Sequence, residues 1–390
     1  MTFIIAGLNI LSMESDALYS NLPEASLLLK TAADNPPFEF EGINSAKFIK
    51  LVEVYNIAPL LFYKLKDHKA RVPPDIYTHL KSRYLRNILI NKVFWNDFLR
   101  ISDIFRQNNV ALLPLKGVDT LIRFYPYFDL RAMVDIDILI KEGQFAQAEK
   151  ILSELNYSKK LYGLKEEYWR KHQCHITFYK EGVTVEVHWG LDFKRGKRTI
   201  LPRLWERIQA IEFKDHKVDI FSPEDALFSF ALHLRRFGNM LFLKQVFDVA
   251  KIIKESSGFD WDYVLRESKI GKMEATVYFI LMQVSLFTKT EVPEEIFNQL
   301  NISTWQKTLI RKFILKYTFQ TEISMKNAYL KAHFLLYDSL YEPIIYIVNI
   351  PYEQFCKFYF LKPYTKKADL LYNLRFIYMP ISLLKEKLNP

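Results

Sequence analysis

Two aspartates, Asp135-Ile-Asp137, sit in the run Val134–Ile140, which reads V-D-I-D-I-L-I. Side chains alternate faces along a strand. The period-two pattern therefore sends both carboxylates to one side and Val134, Ile136, Ile138 and Ile140 to the other, where they can fill a core. Carboxylates on neighbouring same-face positions lie within about 7 Å of each other. Unpaired, they repel; a divalent cation removes the repulsion, and Mg²⁺ prefers one or two carboxylates plus substrate phosphates. A third acid stands in a run of the same style, Val183-Thr-Val-Glu-Val-His-Trp189. Its valines form one face, and Thr184, Glu186 and His188 form the other. An acid among β-branched residues is costly unless it is solvated, paired or metal-bound. Three carboxylates converge if the two strands are neighbours. Upstream, Leu115-Lys116-Gly117 falls where a strand ends and a helix over Val118–Phe124 begins. Glycine lets the backbone approach a ligand closely, helix-start amides attract phosphate, and Lys116 adds positive charge. Arg131, four residues before Asp135, is a second candidate for phosphate contact.

These groups fall in a mixed α/β segment over 108–220. Val110-Ala-Leu-Leu-Pro114 fits a buried strand, Val134–Ile140 a second, and His175–Tyr179 and Val183–Trp189 two more. The last two are joined through Lys180-Glu-Gly182, a plausible hairpin turn. Gly143–Leu155 returns to helical spacing. Before the segment, residues 24–110 read mostly as helix, with apolar three- and four-residue steps over Ala46–Tyr63 and Asp75–Arg106 and a break at Pro73-Pro74. After it, Ser222-Pro-Glu-Asp225 supplies an N-cap, a first-turn proline and first-turn acids. A helix over Ala226–Arg236 should follow, ending near Gly238, and the chain reads helical from there on. The predicted organisation is a helical N-terminal region over 1–107, a core over 108–220 and a helical C-terminal region over 221–390.

Composition narrows the class. Half of the 390 residues are apolar and a quarter charged, which supplies a sizeable core and excludes a disordered chain. Only 11 glycines argue against glycine-punctuated β-repeats and glycine-rich dinucleotide folds. The 31 Phe, 23 Tyr and 6 Trp point to aromatic-packed cores or clefts. The formal charge of +10 favours anionic partners such as nucleotides, nucleic acid or acidic headgroups. Cys174 and Cys356 lack CxxC spacing, which speaks against a structural zinc site or a disulfide framework and fits a cytoplasmic protein. The apolar N-terminus has no Lys or Arg ahead of Glu14 and Asp16, unlike a signal peptide. No apolar run reaches the roughly 18 residues of a membrane span.

Other residues bear on the site less directly. His188 lies beside Glu186 and can contact substrate or serve as a hydrogen-bonded structural histidine. His175, Thr177 and Tyr179 share a strand face and are candidates to line the same cleft. His233 reads as a packed histidine, and Asp248 as part of a buried network with Arg235 or Arg236. The cluster Lys194-Arg-Gly-Lys-Arg198 reads as a solvated loop, with triphosphate or nucleic-acid contact as the alternative. The Lys, Phe and Tyr mixture of Lys357–Lys367 reads as amphipathic packing, and Leu370–Leu388 as a docked final helix. There is no G-x-x-x-x-G-K-[ST], GxGxxG or HExxH motif.

A strand-turn-helix phosphate site, a D-h-D strand and a later h-E-h strand match the needs of metal-assisted nucleotidyl transfer, in which two ions clamp the attacking and leaving oxygens. The run LKGVDTLIRFYPYFDLRAMVDIDILI resembles the bacterial uncharacterised nucleotidyltransferase family of the polymerase-β-like superfamily. Lys116, Gly117, Tyr125-Pro126, Arg131, Asp135 and Asp137 carry the likeness, as do Val185-Glu186-Val187-His188-Trp189, Leu204-Trp205, the Ser222 helix start, His233, Asp248 and Asp260-Trp261. It covers roughly residues 55–270. The resemblance implies an α+β fold: a small mixed sheet flanked by helices, with helical regions on both sides. It implies Asp135 and Asp137 as ligands of Mg²⁺ or Mn²⁺, and Glu186 as a third ligand or the base that deprotonates the acceptor. It implies an NTP as donor of a nucleoside monophosphate, with release of pyrophosphate, and a small molecule, peptide, protein or RNA as acceptor. The helical regions are available to a protein partner. Lys116-Gly117 stands where many superfamily members have Gly-Ser, and Glu186 where Asp is commoner. A non-catalytic nucleotide-binding or scaffold module is the alternative.

Overall fold

Five short strands carry the apolar alternation into one mixed sheet: β1 (Leu113–Pro114), β2 (Ile136–Leu139), β3 (Ser158–Lys160), β4 (His175–Lys180) and β5 (Val183–His188), in the order β1-β2-β5-β4-β3. The computed structural model describes residues 22–33, 38–192, 201–213, 216–236, 243–319, 331–339, 341–379 and 382. Strands β2 and β5 are parallel; the other pairings are antiparallel. The β4–β5 turn is the Glu-Gly pair expected from the sequence. Glu181 and Gly182 both have positive φ, 46° and 89°, which suits the right-handed twist of a tight hairpin. A second hairpin, β6 (Gln209–Phe213) and β7 (His216–Ile220), forms a separate two-stranded sheet.

Helices flank the sheet in sequence on both sides. Before it come α1 (Pro23–Ala32), α2 (Ser45–Tyr55), α3 (Ala58–Leu65) and α4 (Pro74–Gln107). Within and beside it lie α5 (Lys116–Phe124), α6 (Phe145–Glu154), α7 (Glu166–His172) and α8 (Leu201–Glu206). After it follow α9 (Pro223–Arg236), α10 (Leu243–Glu255), α11 (Trp261–Ile270), α12 (Glu274–Phe287), α13 (Glu294–Gln299) and α14 (Thr304–Tyr317). The last described helices are α15 (Tyr341–Val348), α16 (Tyr352–Phe358) and α17 (Lys366–Asn373). Starts are capped as the sequence leads one to expect. Ser222 Oγ accepts from the Asp225 amide ahead of α9, and the Asn44 and Asp260 side chains cap α2 and α11.

Two cores result. Helices α1–α3 pack with α9–α12 and α14 into one apolar cluster, where Tyr55 meets Phe319 at 5.7 Å between ring centres. The helical stretches on either side of the sheet in sequence are thus joined in space. The second core lies on the apolar face of the sheet, against the C-terminal half of α4 (Phe94, Trp95, Phe98, Ile101 and Phe105). With 34 residues, α4 reaches about 50 Å and contributes to both cores. No helix among the described residues is long and apolar enough to cross a membrane.

Two expectations are corrected here. Val134 does not join the core face: β2 begins at Ile136, and Val134 stands in a bend with 61% of its surface exposed. Alternation applies only inside the ladder, and Val134 lies outside it. Asp248 does not pair with Arg235, and the Arg236 side chain lies outside what is described. Asp248 takes Arg131, while Arg235 pairs with Asp192. The Lys194–Arg198 cluster and Gly238 lie outside the described residues, as does most of the chain beyond Met379.

Candidate active site

Parallel pairing of β2 with β5 sets Asp137 in register with Glu186. Ile136, Ile138, Val185 and Val187 are fully buried; alternation turns the two acids to the opposite face. Strand β4 adds Thr177 opposite Glu186 and His175 opposite His188. Tyr179 shares that face further along, 40% exposed. Asp135 stands just ahead of β2, half-buried. The loop leading to it is held by two buried asparagines one turn apart on α4. Asn87 Nδ2 donates to the Asp129 carbonyl at 2.7 Å, and Asn91 Nδ2 to the carbonyls of Phe128 and Arg131 at 2.5 and 2.8 Å. Asn91 Oδ1 in turn accepts from the Met133 amide at 3.2 Å. Sequence reasoning missed both asparagines. Their signal was two polar residues at i and i+4 on an otherwise apolar helix face.

Lys116 opens α5 with a left-handed φ of 47°, and its Nζ lies 2.6 Å from Asp137 Oδ1. It thus meets a carboxylate, where the sequence reading placed a phosphate. His188 Nε2 lies 3.0 Å from the same oxygen and 3.3 Å from Glu186 Oε2. Arg131 is also spoken for. Its guanidinium grips Asp248 of α10 through Nε, at 3.0 and 2.8 Å, and through Nη2 at 2.7 Å. Tyr125 Oη completes the carboxylate at 2.9 Å. The network is buried and ties α10 to the approach to Asp135. Gly117 has its reason in the same place: a Cβ there would collide with the Arg131 guanidinium. The close approach that glycine allows is made by Arg131.

The charges are strongly coupled. Burial opposes ionisation of Asp137, but Lys116 and His188 hold its carboxyl well below the ordinary range. Burial likewise opposes Glu186, which hydrogen bonding from His188 and the charge of His175 bring down to about 2. Asp135 goes the other way. Burial first, then the charge on Asp137, pushes it up to about 7, against the pull of Lys116. For His188 burial disfavours the imidazolium, yet bonds to Asp137, Cys174 and Glu186 raise it to about 10. Lys116 is disfavoured by burial and raised by the three carboxylates around it. Lys244, near the start of α10, was not singled out by sequence. It donates to the Ala132 carbonyl at 3.0 Å, and burial and then Arg131 lower it to about 8, although Asp248, Asp135 and Asp137 pull the other way. Nothing in the sequence marks it among 54 Lys and Arg residues.

Asp137, Glu186 and His188 each offer a ligand atom, all within 4.8 Å of one another. This compact group has His188 where the sequence reading has Asp135, which stands at its edge and feels its field. Two anionic oxygens, an imidazole and a further carboxyl form a donor set that fits a divalent cation.

Curated proteins yield no match. The family model described as uncharacterised nucleotidyltransferase matches residues 41–289. The match takes in the whole five-stranded sheet, the asparagine-bearing α4 and the α10 helix that anchors Arg131. The chain belongs to this nucleotidyltransferase family.

Proposed function

We propose that the protein transfers a nucleoside monophosphate from an NTP to an acceptor hydroxyl or phosphate, releasing pyrophosphate, with Mg²⁺ or Mn²⁺ held by Asp135, Asp137 and Glu186. The observation that carries this reading is the Asp137–Glu186 register on paired parallel strands, with Asp135 two residues before Asp137. Bound there, a divalent cation would neutralise phosphate charge and lower the pKa of an acceptor hydroxyl. The chain's own residues do the rest. Lys116 and His188 offset the charge of Asp137. Lys244 brings a poised ammonium to the edge of the carboxylates, suited to a phosphate oxygen. Glu186, held at about 2, is too weak a base to deprotonate an acceptor, which favours a ligand role over the base role. Asp135 must lose its proton for the donor set to carry full charge. The acceptor class spans small molecules, proteins and RNA. A cytoplasmic setting agrees with two buried cysteines that form no disulfide.

One observation favours a second reading, a non-catalytic nucleotide-binding module. Lys116 Nζ and His188 Nε2 already sit at 2.6 and 3.0 Å from Asp137 Oδ1, supplying in part the positive charge a metal would bring. Calorimetry separates the two, using each NTP with and without Mg²⁺ on the wild type and on Asp135→Asn and Asp137→Asn. Transfer predicts Mg²⁺-dependent binding that both variants abolish. Tight binding indifferent to Mg²⁺ and to both substitutions would replace it with the second reading.

A further inference from the structure

Nucleotidyl transfer makes no use of Cys174 or His175, which form a second cluster with His188 beside the carboxylates. Cys174, His175 and His188, all buried, each offer a ligand atom within 4.8 Å of the other two. Strand pairing brings them together. His175 faces His188 across the β4–β5 ladder, and the Trp189 amide donates to the Cys174 carbonyl at 2.9 Å, extending the pairing by one residue. Cys174 Sγ lies 3.9 Å from His175 Nδ1. The two imidazoles stack with ring centres 4.8 Å apart at 26°.

These separations are those of ligands on one small tetrahedral ion. Zinc–sulfur and zinc–nitrogen bonds of about 2.3 and 2.0–2.1 Å put S and N about 3.6 Å apart and two imidazole centres about 5 Å apart. The outward nitrogen of His188 is also placed as a metal site requires, and that of His175 lies near a carboxylate. His175 Nε2 lies 3.8 Å from Glu186 Oε1, and His188 Nε2 lies 3.0 Å from Asp137 Oδ1. Metal-bound histidines characteristically present the other nitrogen to a carboxylate, which fixes tautomer and ring orientation.

We propose that Cys174, His175 and His188 form a zinc site, with Asp137 and Glu186 as its outer shell. A thiolate with two imidazoles selects zinc over Mg²⁺, whose preference is oxygen. The ion would clamp the β4–β5 ladder and hold the two carboxylates through the imidazoles, its charge taking the place of the proton that His188 carries without it. The spacing of the cysteines spoke against zinc because two of the three ligands are histidines and the third arrives through strand pairing. The assignment does not depend on nucleotide binding by the carboxylates.

The test uses the full chain, with zinc alone as the probe. Equilibrium dialysis of the wild type should give about one zinc per chain. X-ray absorption should count one sulfur and two imidazoles around it. Cobalt loading should give a thiolate-to-metal charge-transfer band. Cys174→Ser and His175→Gln should each weaken zinc by more than about tenfold, and Cys174→Ser should also lose the cobalt band. Asp135→Asn, outside this cluster, should keep both zinc and band while losing Mg²⁺-dependent nucleotide binding. An oxygen-and-nitrogen-only shell, no zinc in the wild type, or full affinity in Cys174→Ser would overturn the proposal. So would zinc that follows Asp135 and not Cys174.

Discussion

The coupled carboxylates make a quantitative claim about Asp135→Asn. In the unfolded chain Asp135 titrates near 3.8, and in the folded protein near 7. Between these values the folded state holds the extra proton, so stability falls as pH rises through the window. Each pH unit costs about 1.4 kcal/mol, so the full window amounts to about 4 kcal/mol as a ceiling. Asp135 is half-buried and water screens part of the repulsion, which leaves about 2–4 kcal/mol. Asparagine resembles the protonated acid in shape and charge. It should therefore leave stability unchanged near pH 3, below the window, and raise it by about 2–4 kcal/mol near pH 8. Asp137 and Glu186 titrate well below this range. His188 titrates in both proteins; Lys244, which Asp135 helps to keep charged, shifts with the substitution, so the comparison near pH 8 reads Asp135 together with its pull on Lys244. Denaturant unfolding at the two pH values, with and without Mg²⁺, reads the effect. Mg²⁺ should stabilise the wild type at the higher pH and do nothing for the variant. An equal gain at both pH values, or a variant less stable than wild type at the higher pH, would refute the reasoning.

Three further outcomes follow from the same contacts. Asp248→Ala leaves the buried Arg131 guanidinium without its carboxylate and should cost about 3–5 kcal/mol in unfolding experiments. Arg131→Met with Asp248→Leu should recover most of that, and a double variant no better than the single would contradict the pairing. Gly117→Ala forces the Arg131 guanidinium aside and should cost about 1–3 kcal/mol; an unchanged unfolding midpoint would show that α5 can shift to make room. Lys244→Met removes an ammonium at the edge of the carboxylates and should weaken Mg²⁺–NTP binding about tenfold or more in calorimetry. Wild-type affinity should fall above pH 8 as Lys244 loses its proton, a fall absent from the variant.

Which parts of this arrangement were legible in one dimension has a physical pattern. Alternation marked β2, β4 and β5 because their apolar faces are buried. The same logic failed for β3 and for β6, whose residues are mostly exposed and so carry no period-two signal. It failed at Val134 because the ladder stops at Ile136. The helix start at Ser222 was readable because a cap and its partners lie within four residues. Pairings between distant residues were not. Arg131 and Asp248 are 117 positions apart, and nothing in either neighbourhood names the other.

The site residues divide along the same line. Asp135, Asp137 and Glu186 could be picked out as acids in apolar strands, since an acid in such a strand requires a compensating charge. The identity of that charge could not be read, because it depends on register and helix docking. Lys116 and Arg131 both read as cations available to phosphate. The fold spends Arg131 on Asp248 and Lys116 on Asp137, and Gly117 makes room for the former. His188 adds its positive charge to Asp137 and Glu186 from the same strand face. Asp135 is therefore left as the carboxyl of the three with the least compensation, which is why it is the one of them pushed up toward neutrality. A divalent cation has most to gain there, and the proton on Asp135 is what it must displace. That makes a metal affinity that rises with pH up to about 7 and levels off above it the electrostatic signature that this set of pairings demands.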